Sequence, residues 1–168
     1  SISPLQIAVA ISAIANGGTL VQPHLVEEIR DDSGNIIRPE YPTNGKVISK
    51  ETSETLTKML VSAVQNGFEN HAGVSGYFVA GKTGTAQVPY TDRKGYDPNR
   101  SIHSFVGYAP AFRPKFLVFI QLNEPQGVRF ASASITPTFH ALAEFMLNYY
   151  EIPTDIDVER KTSLPKPK

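Results

Sequence analysis

Cysteine is absent from the 168 residues of this sequence. Disulfide bonds, thiolate zinc sites and a cysteine nucleophile are therefore excluded. The lack of cysteine fits an oxidising compartment outside the cytoplasm without requiring one. An excess of charge of either sign is absent too, since 16 basic and 16 acidic residues give a formal net charge of zero. Nucleic-acid binding, which needs a basic face to neutralise phosphates, has no support.

Long apolar runs are also missing. No stretch approaches the roughly 18–20 apolar residues that cross a bilayer. The chain does not open with the charged and then apolar segments of a signal peptide. It begins with Ser1-Ile2-Ser3-Pro4, which already belongs to a helix start. We therefore expect an upstream part of the same protein to precede this chain.

Hydrophobic periodicity divides the chain into helices and strands. Ser3, Pro4 and Gln6 mark a helix start with a capping box. The predicted order is a helix at 3–16, extended segments at 19–37 around a turn at 31–35, a helix at 49–66, strands at 77–88, 102–109 and 116–123, and a helix at 136–150. This order predicts an α+β fold. We assign residues 1–152 to one folded unit and residues 153–168 to a loosely ordered tail.

The expected core follows from the apolar positions of these elements. Residues 116–120 (FLVFI) predict a central strand that is covered on both faces. The polar connections at 68–75 and 89–100 are predicted as a linker and a turn-rich insert. The helices contribute Leu5, Ile7, Ala8, Ile11, Ile14 and Ala15, then Leu56, Met59, Leu60, Ala63 and Val64, and finally Ile135, Phe139, Leu142, Ala143, Met146 and Leu147.

The run Lys82-Thr83-Gly84-Thr85 lies in the first of the three predicted strands. A lysine ammonium and two threonine hydroxyls form a positive, donor-rich cradle for a carboxylate. Gly84 has no side chain, so a substrate backbone can approach the strand edge and pair with it. The N–H that follows this glycine can point at an oxygen where negative charge develops. The triplet by itself is equally compatible with an ordinary surface strand.

A competing pattern overlaps this run. Residues 76–83 (GYFVAGKT) match the phosphate-loop pattern G-x-x-x-x-G-K-[ST]. A phosphate loop follows a strand and opens a helix whose N-terminus faces the phosphates. Here residues 77–80 are themselves strand-like, and residues 84–89 (GTAQVP) do not favour a helix. We therefore reject nucleotide binding.

Several segments around the triplet carry a family resemblance. They are residues 3–18 (SPLQIAVAISAIANGG), 21–25 (VQPHL), 79–87 (VAGKTGTAQ) and 103–110 (HSFVGYAP). In this order they resemble the transpeptidase domain of penicillin-binding proteins over nearly the whole chain, up to about residue 153. The K-T-G triplet is one of the three motifs of that family. Its continuation as Ala86-Gln87 resembles the class B, monofunctional members.

The resemblance implies the C-terminal part of a penicillin-binding/serine β-lactamase-like fold, with an antiparallel sheet packed by helices. It implies a serine D,D-transpeptidase that cross-links peptidoglycan stem peptides through an acyl-enzyme. In that scheme Lys82 supplies positive charge and orients the middle motif, while Thr83 and Thr85 hold the substrate carboxylate. The N–H of Thr85 forms half of the oxyanion hole, and Gln87 lines the cleft.

The nucleophile of the family lies in an S-x-x-K motif upstream of the triplet, with S-x-N between them. Residues 163–166 (SLPK) match S-x-x-K, but they follow the triplet and contain a proline where a helix start is needed. Residues 33–35 (SGN) match S-x-N, but they sit in a turn rich in good turn residues. We reject both and expect no nucleophile in this chain, so that the 168 residues alone are inactive.

The resemblance also implies partners and a location. The partners are stem peptides ending in D-Ala-D-Ala, β-lactams, the upstream segment that carries the missing motifs, a membrane reached through an upstream anchor, and a cell-wall glycosyltransferase. The location is the extracytoplasmic face of a bacterial membrane, and the ending at 149–153 (YYEIP) resembles division- or sporulation-type members. A β-lactam-sensing receptor domain and a D,D-carboxypeptidase are the alternatives.

No cofactor or metal is expected. His24, His71, His103 and His140 lack the spacing of a metal site. His103 is predicted to lie on a sheet face near the cleft as a packed or hydrogen-bonded residue.

Overall fold

Side-chain caps fix where the first two long helices begin. A computed structural model describes residues 2–43, 45–67 and 69–155. Helix α1 (Pro4–Ala15) starts with the predicted capping box, in which Ser3 Oγ accepts from Gln6 N at 3.2 Å and Gln6 Oε1 accepts from Ser3 N at 2.8 Å. Helix α2 (Lys50–Asn66) is capped by Ser49 and ends at Gly67. Both helix predictions are confirmed.

A small hairpin occupies only part of the region that the sequence predicted as extended. Strand β1 (Ile29–Arg30) pairs with strand β2 (Ile36–Ile37), and residues 20–28 form no strand. The Asp31 carboxylate closes the turn by accepting from the backbone N–H groups of Ser33 and Asn35, both at 2.9 Å. Ser33 and Asn35 are therefore turn residues, as the sequence indicated.

The main sheet is antiparallel and has the order β3–β4–β5, with β3 at Ala80–Pro89, β4 at Tyr96–Ala109 and β5 at Phe116–Asn123. The three predicted strands are confirmed, but the insert predicted at 89–100 is shorter. Strand β4 begins at Tyr96 and pairs with the end of β3 beyond a bulge between Gln87 and Val88. Within the described residues β4 is the central strand, while β5, predicted as a central strand covered on both faces, lies at the edge and is only half-buried from Phe116 to Ile120.

Two apolar layers cover β4, one on each face. Phe105 and Ala109 pack with Phe139 and other residues of helix α4 (Thr136–Tyr149), and the rings of Phe105 and Phe139 lie 4.7 Å apart. A short helix α3 (Ala131–Ser134) precedes α4. Tyr108 and Ala80 pack on the opposite face with Val61 of α2.

The predicted apolar faces are partly wrong. In α1 the only buried residue is Ala13, and Leu5 is 59% exposed. In α2 the buried positions are Ser53, Thr57, Val61 and Val64, and Met59 is 62% exposed. In α4, Phe139, Ala143 and Leu147 are buried as predicted, while Leu142 is 43% exposed.

Polar contacts explain why α2 buries a serine and a threonine. Ser53 Oγ donates to Ile14 O of α1 at 2.5 Å. Thr57 Oγ1 and the hydroxyl of the fully buried Tyr108 form a hydrogen bond of 2.8 Å. Burial raises the pKa of Tyr108, and the hydrogen bond with Thr57 opposes that rise only in part. The helix therefore attaches to the sheet through polar groups that an apolar pattern does not reveal.

Hydrogen bonds join the segment after α4 to the segment before β3. Tyr77 Oη donates to Ile152 O at 2.5 Å, Phe78 N donates to Asp155 Oδ2 at 2.7 Å, and Asp155 N donates to Gly76 O at 3.0 Å. Asp155 is buried. It is therefore attached to the fold, although the sequence assigned it to the loose tail. Residues 156–168, which include the SLPK segment, lie outside the described residues.

In the part of the chain that the structure covers, every helix is too short or too polar to traverse a bilayer.

Thr57→Val should lower the free energy of unfolding by about 1–3 kcal/mol, because it leaves the buried Tyr108 hydroxyl without its partner. Adding Tyr108→Phe removes that unpaired group, so the double variant should recover most of the loss. Urea unfolding of the single and double variants measures both effects. A double variant less stable than the sum of the two single changes would contradict this role of the pair.

Candidate active site

The predicted triplet lies on an edge strand beside a cleft. Strand β3 carries Lys82, Thr83, Gly84 and Thr85, and within the described residues its only strand neighbour is β4. The cleft has a volume of about 290 Å³. It is lined by Glu69, Lys82, Thr83, Thr85, Phe130 and Ser132. The structure thus brings three of the predicted site residues together with three that the sequence did not indicate.

The register of β3 places the glycine of the triplet against a side chain of β4. Gly84 lies opposite Ser104, and a Cβ placed on Gly84 would lie 2.6 Å from Ser104 Oγ. The next nearest atom, Ser104 Cβ, would be 4.0 Å away, so the Ser104 hydroxyl is the obstacle to a side chain at this position. Gly81 is constrained in the same way by the Phe105 ring, which would lie 2.4 Å from its Cβ.

The open edge of β3 presents backbone N–H groups. Thr83 N lies 3.5 Å from Glu69 Oε1, so its N–H points away from β4. Alternate residues of an antiparallel strand direct their N–H groups to the same edge. Because the pairing with β4 is unbroken from Ala80 to Gln87, the N–H of Thr85 also points to the open edge.

Glu69 is the main residue that the sequence reasoning missed. It lies three residues after the end of α2, before a short 3₁₀ helix at Asn70–Ala72, and its side chain is 6% exposed. Its Oε1 atom accepts from Lys82 Nζ at 2.7 Å and from Thr83 Oγ1 at 2.6 Å. The sequence placed Glu69 in a polar linker, where no local pattern distinguishes a buried acid from a solvated one.

The ion pair with Lys82 determines the charge of this carboxylate. Burial raises the pKa of Glu69, but hydrogen bonds from Lys82 and Thr83 and the charge of Lys82 outweigh burial and hold the pKa below its ordinary value. Glu69 is therefore ionised at neutral pH. Its contribution to stability is fully present above the ordinary pKa of a glutamate and is lost as the pH falls from there through the lowered pKa.

Thr85 has a different environment. Its Oγ1 accepts from the backbone N–H of Ala131, at the start of α3, at 3.2 Å. The hydroxyl proton of Thr85 has no acceptor among the residues that the structure describes. It is therefore available to a ligand in the cleft.

His103 lies behind the triplet strand, opposite Thr85 in the register of β4. It is fully buried, and its ring nitrogens lie 2.7 Å from Ser134 Oγ and 3.0 Å from Ser101 Oγ. The prediction of a hydrogen-bonded histidine on the sheet near the cleft is confirmed. Gln87 is exposed on β3 beyond the residues that line the cleft.

The geometry of residues 76–83 is not that of a phosphate loop. Lys82 and Thr83 lie inside β3, which continues as a strand to Pro89 where a phosphate loop would open a helix. Within the described ranges, no group of histidine and acidic side chains is placed to hold a metal ion.

Comparisons with known proteins agree on one family. The family model for the penicillin binding protein transpeptidase domain matches residues 1–144. Stage V sporulation protein D of Bacillus subtilis (strain 168) is 39% identical over 140 residues, which are 82% of this chain and 21% of that protein. Penicillin-binding protein PbpB of Mycolicibacterium smegmatis is 33% identical over 166 residues, which are 94% of this chain and 26% of that protein.

A solved structure shows the same fold. The crystal structure of penicillin binding protein 3 from Mycobacterium tuberculosis, complexed with aztreonam, matches with a TM-score of 0.84 and 30% identity. The match covers 91% of this chain and 36% of that chain. The present chain spans about a fifth to a quarter of the length of these two curated relatives.

Gly84→Ala should lower the free energy of unfolding by about 1–3 kcal/mol, because the new methyl group overlaps Ser104 Oγ. The obstacle is a single side-chain atom, so adding Ser104→Ala should restore most of the stability. Thermal unfolding of the single and double variants measures the effect. Equal losses with and without Ser104→Ala would show that the steric explanation is wrong.

Proposed function

The chain belongs to the penicillin-binding protein transpeptidase family, and on that premise we propose that it is the C-terminal part of a class B peptidoglycan D,D-transpeptidase. In this proposal it supplies the wall of the active site that holds the substrate carboxylate and half of the oxyanion hole. The observation that carries it is the position of Lys82, Thr83 and Thr85 along one open strand edge that borders a cleft.

The proposed reaction is an acyl transfer in two steps. A serine from the upstream segment attacks the carbonyl of the penultimate D-alanine, the peptide bond breaks, and the terminal D-alanine leaves with a proton on its nitrogen. An amine of a second stem peptide then attacks the ester carbonyl, the C–O bond to the serine breaks, and a proton from the amine returns to the serine oxygen. A β-lactam would enter the same first step, and opening of its ring would leave the acyl group on the serine.

Each residue of the strand has a role in this scheme. The N–H of Thr85, which points to the open edge, stabilises the oxyanion of the tetrahedral intermediate. The hydroxyls of Thr83 and Thr85 and the ammonium of Lys82 surround the substrate carboxylate. The absence of a side chain at Gly84 lets the substrate backbone lie along the strand. Gln87 contacts the substrate further along the same strand.

Two apolar surfaces support an upstream segment that completes this domain. Helix α1 is almost entirely apolar in sequence, yet of its residues only Ala13 is buried. Strand β5 is rich in large apolar residues, is only half-buried from Phe116 to Ile120, and has an unpaired edge within the described residues. Exposed apolar patches and free strand edges are surfaces that proteins cover. We place the serine and the two missing motifs in the segment that covers them.

The proposed location and partners follow from the proposed reaction. Stem peptides ending in D-Ala-D-Ala lie outside the cytoplasmic membrane, so we place the site on the extracytoplasmic face, anchored upstream of this chain. A glycosyltransferase would supply the glycan strands that carry these peptides. The sensor and carboxypeptidase alternatives would use the same cleft and differ in the fate of the acyl group, which stays on the serine in the first and passes to water in the second.

Fluorescent penicillin should label a protein that contains this chain together with its upstream segment, and it should not label the 168 residues alone. Intact-mass analysis would show the added mass of the β-lactam on the longer protein. Release of the acyl group to an added amine, rather than to water, separates a transpeptidase from the alternatives. Labelling of the isolated chain would reveal a nucleophile within it and would contradict the proposal.

Lys82→Ala in the longer protein should slow acylation about tenfold or more, because it removes the positive charge beside the substrate carboxylate and the hydrogen bond that holds Glu69. A hydrogen bond that involves a charged group contributes about 1.5–3 kcal/mol. Lys94→Ala, in the exposed hairpin between β3 and β4, is the matched control and should leave the rate unchanged. Stopped-flow acylation by a penicillin measures both. A change of less than about threefold for Lys82→Ala, equal to less than about 0.7 kcal/mol, would count against its assigned role.

A further inference from the structure

The cleft already contains a carboxylate that belongs to the protein. Glu69 Oε1 lies at hydrogen-bond distance from two of the groups expected to bind the carboxylate of a substrate, Lys82 Nζ at 2.7 Å and Thr83 Oγ1 at 2.6 Å. The Glu69 side chain is almost completely buried and lines the cleft. A carboxylate of the protein itself thus already occupies part of the candidate anion-binding site.

A count of hydrogen-bond donors shows how much of the cradle is occupied. A lysine ammonium has three N–H donors. Lys82 Nζ has three acceptors, namely Glu69 Oε1 at 2.7 Å, Thr83 O at 3.1 Å and Thr83 Oγ1 at 3.2 Å. The hydroxyl of Thr83 has one proton, and it is donated to Glu69. Neither residue can donate to a second carboxylate without giving up a bond that it already makes.

Thr85 differs from Thr83 in this respect, although both line the cleft. The hydroxyl oxygen of Thr85 accepts from Ala131 N–H at 3.2 Å. That contact uses a lone pair of the oxygen and leaves its proton for another acceptor. Of the two threonines, Thr85 is the one whose hydroxyl can donate to a ligand without losing a contact.

The electrostatic balance of the cleft leads to the same conclusion. Lys82 contributes one positive charge and Glu69 one negative charge, joined by the 2.7 Å ion pair. A ligand carboxylate placed near Lys82 is therefore also placed near Glu69, and the attraction of one is reduced by the repulsion of the other.

We propose that Glu69 competes with ligand carboxylates for Lys82 and Thr83. It holds these two residues in place and weakens the binding of anionic ligands. Thr85 then provides the main hydroxyl donor to a ligand carboxylate. This inference rests on the proposed function of the cleft as a carboxylate-binding site. Glu69 is a specificity-determining and positioning residue in this scheme, since it acts on the ligand through Lys82 and Thr83.

The test is a binding titration that requires no acylation. N-acetyl-D-alanine is a monoanion without a D-Ala-D-Ala bond, and its neutral amide is the matched ligand without the charge. The dissociation constants of both are measured by NMR titration of the full 168-residue chain and its variants. Glu69→Gln keeps the shape of the side chain and removes its charge, so it should lower the Kd of the anion about threefold to tenfold. The Kd of the neutral amide should not change.

Glu124→Gln is the control for a general effect of charge. Glu124 is also ionised and paired with a cation, Arg100, at 2.6 Å, but it does not line the cleft. Its substitution should leave both dissociation constants unchanged. An anion affinity that is unchanged or weaker in Glu69→Gln, or equally strengthened in Glu124→Gln, would overturn the proposal.

A second pair of variants tests the threonines and remains informative if Glu69→Gln fails to fold. Thr85→Val should raise the Kd of the anion about tenfold, because it removes the available donor. Thr83→Val should change that Kd less than about twofold, since the proton of Thr83 is already donated to Glu69. Equal weakening by the two substitutions would contradict the proposal. So would a failure of the wild-type chain and all variants to bind the anion.

Penicillin labelling of the longer protein distinguishes this inference from the proposed function. If the anion affinities change as expected but the longer protein is never acylated, the inference holds and the transpeptidase proposal fails. If the longer protein is acylated but Glu69→Gln does not strengthen anion binding, the transpeptidase proposal holds and this inference fails.

Discussion

The pairing of β3 with β4 is the constraint on which the rest of the candidate site depends. Eight residues of β3, from Ala80 to Gln87, pair without interruption with Tyr108 to Ser101. This register places Gly84 against Ser104, aims the N–H groups of Thr83 and Thr85 at the open edge, and sets Thr85 over the buried His103. A shift of one residue would move every side chain of the triplet to the other face of the sheet. The apolar layers on the two faces of β4 fix the register, and the triplet gains its geometry from them.

The sequence predicted those parts of the fold that local patterns determine. The cap of α1, the order of helices and strands and the whole of β5 could be read from Ser3, the hydrophobic periodicity and the run at 116–123. The sequence did not predict features that depend on a contact with a residue distant in the chain. Met59 matches a helical apolar stripe but is exposed, because α2 turns another face to the sheet. On that face Thr57 bonds to Tyr108, 51 residues away in the sequence. Glu69 was missed for the same reason, since its partners lie thirteen and fourteen residues away on another element.

The candidate site combines residues that a motif can reveal with residues that it cannot. Lys82, Thr83 and Thr85 were identified from their own chemistry, and a cleft borders all three. Ala131 enters through a backbone N–H, which has no residue-specific signature in a sequence. Phe130 and Ser132 line the cleft because the segment after β5 returns to the side of β3 before α3 begins. A motif thus identified one wall of the cleft, and the fold supplied the other.

The bulge between Gln87 and Val88 divides the β3–β4 hairpin into two parts that differ in how readily their length and sequence can change. On one side the strands hold the triplet. On the other, they lead to a tip at 90–95 that is largely exposed and far along the hairpin from the packed layers. The entropy of closing a loop grows only with the logarithm of its length, so each doubling costs about 0.6 kcal/mol. Insertions and deletions at this tip would therefore change the free energy of unfolding little. Related chains can differ there in length and charge while the triplet keeps its register.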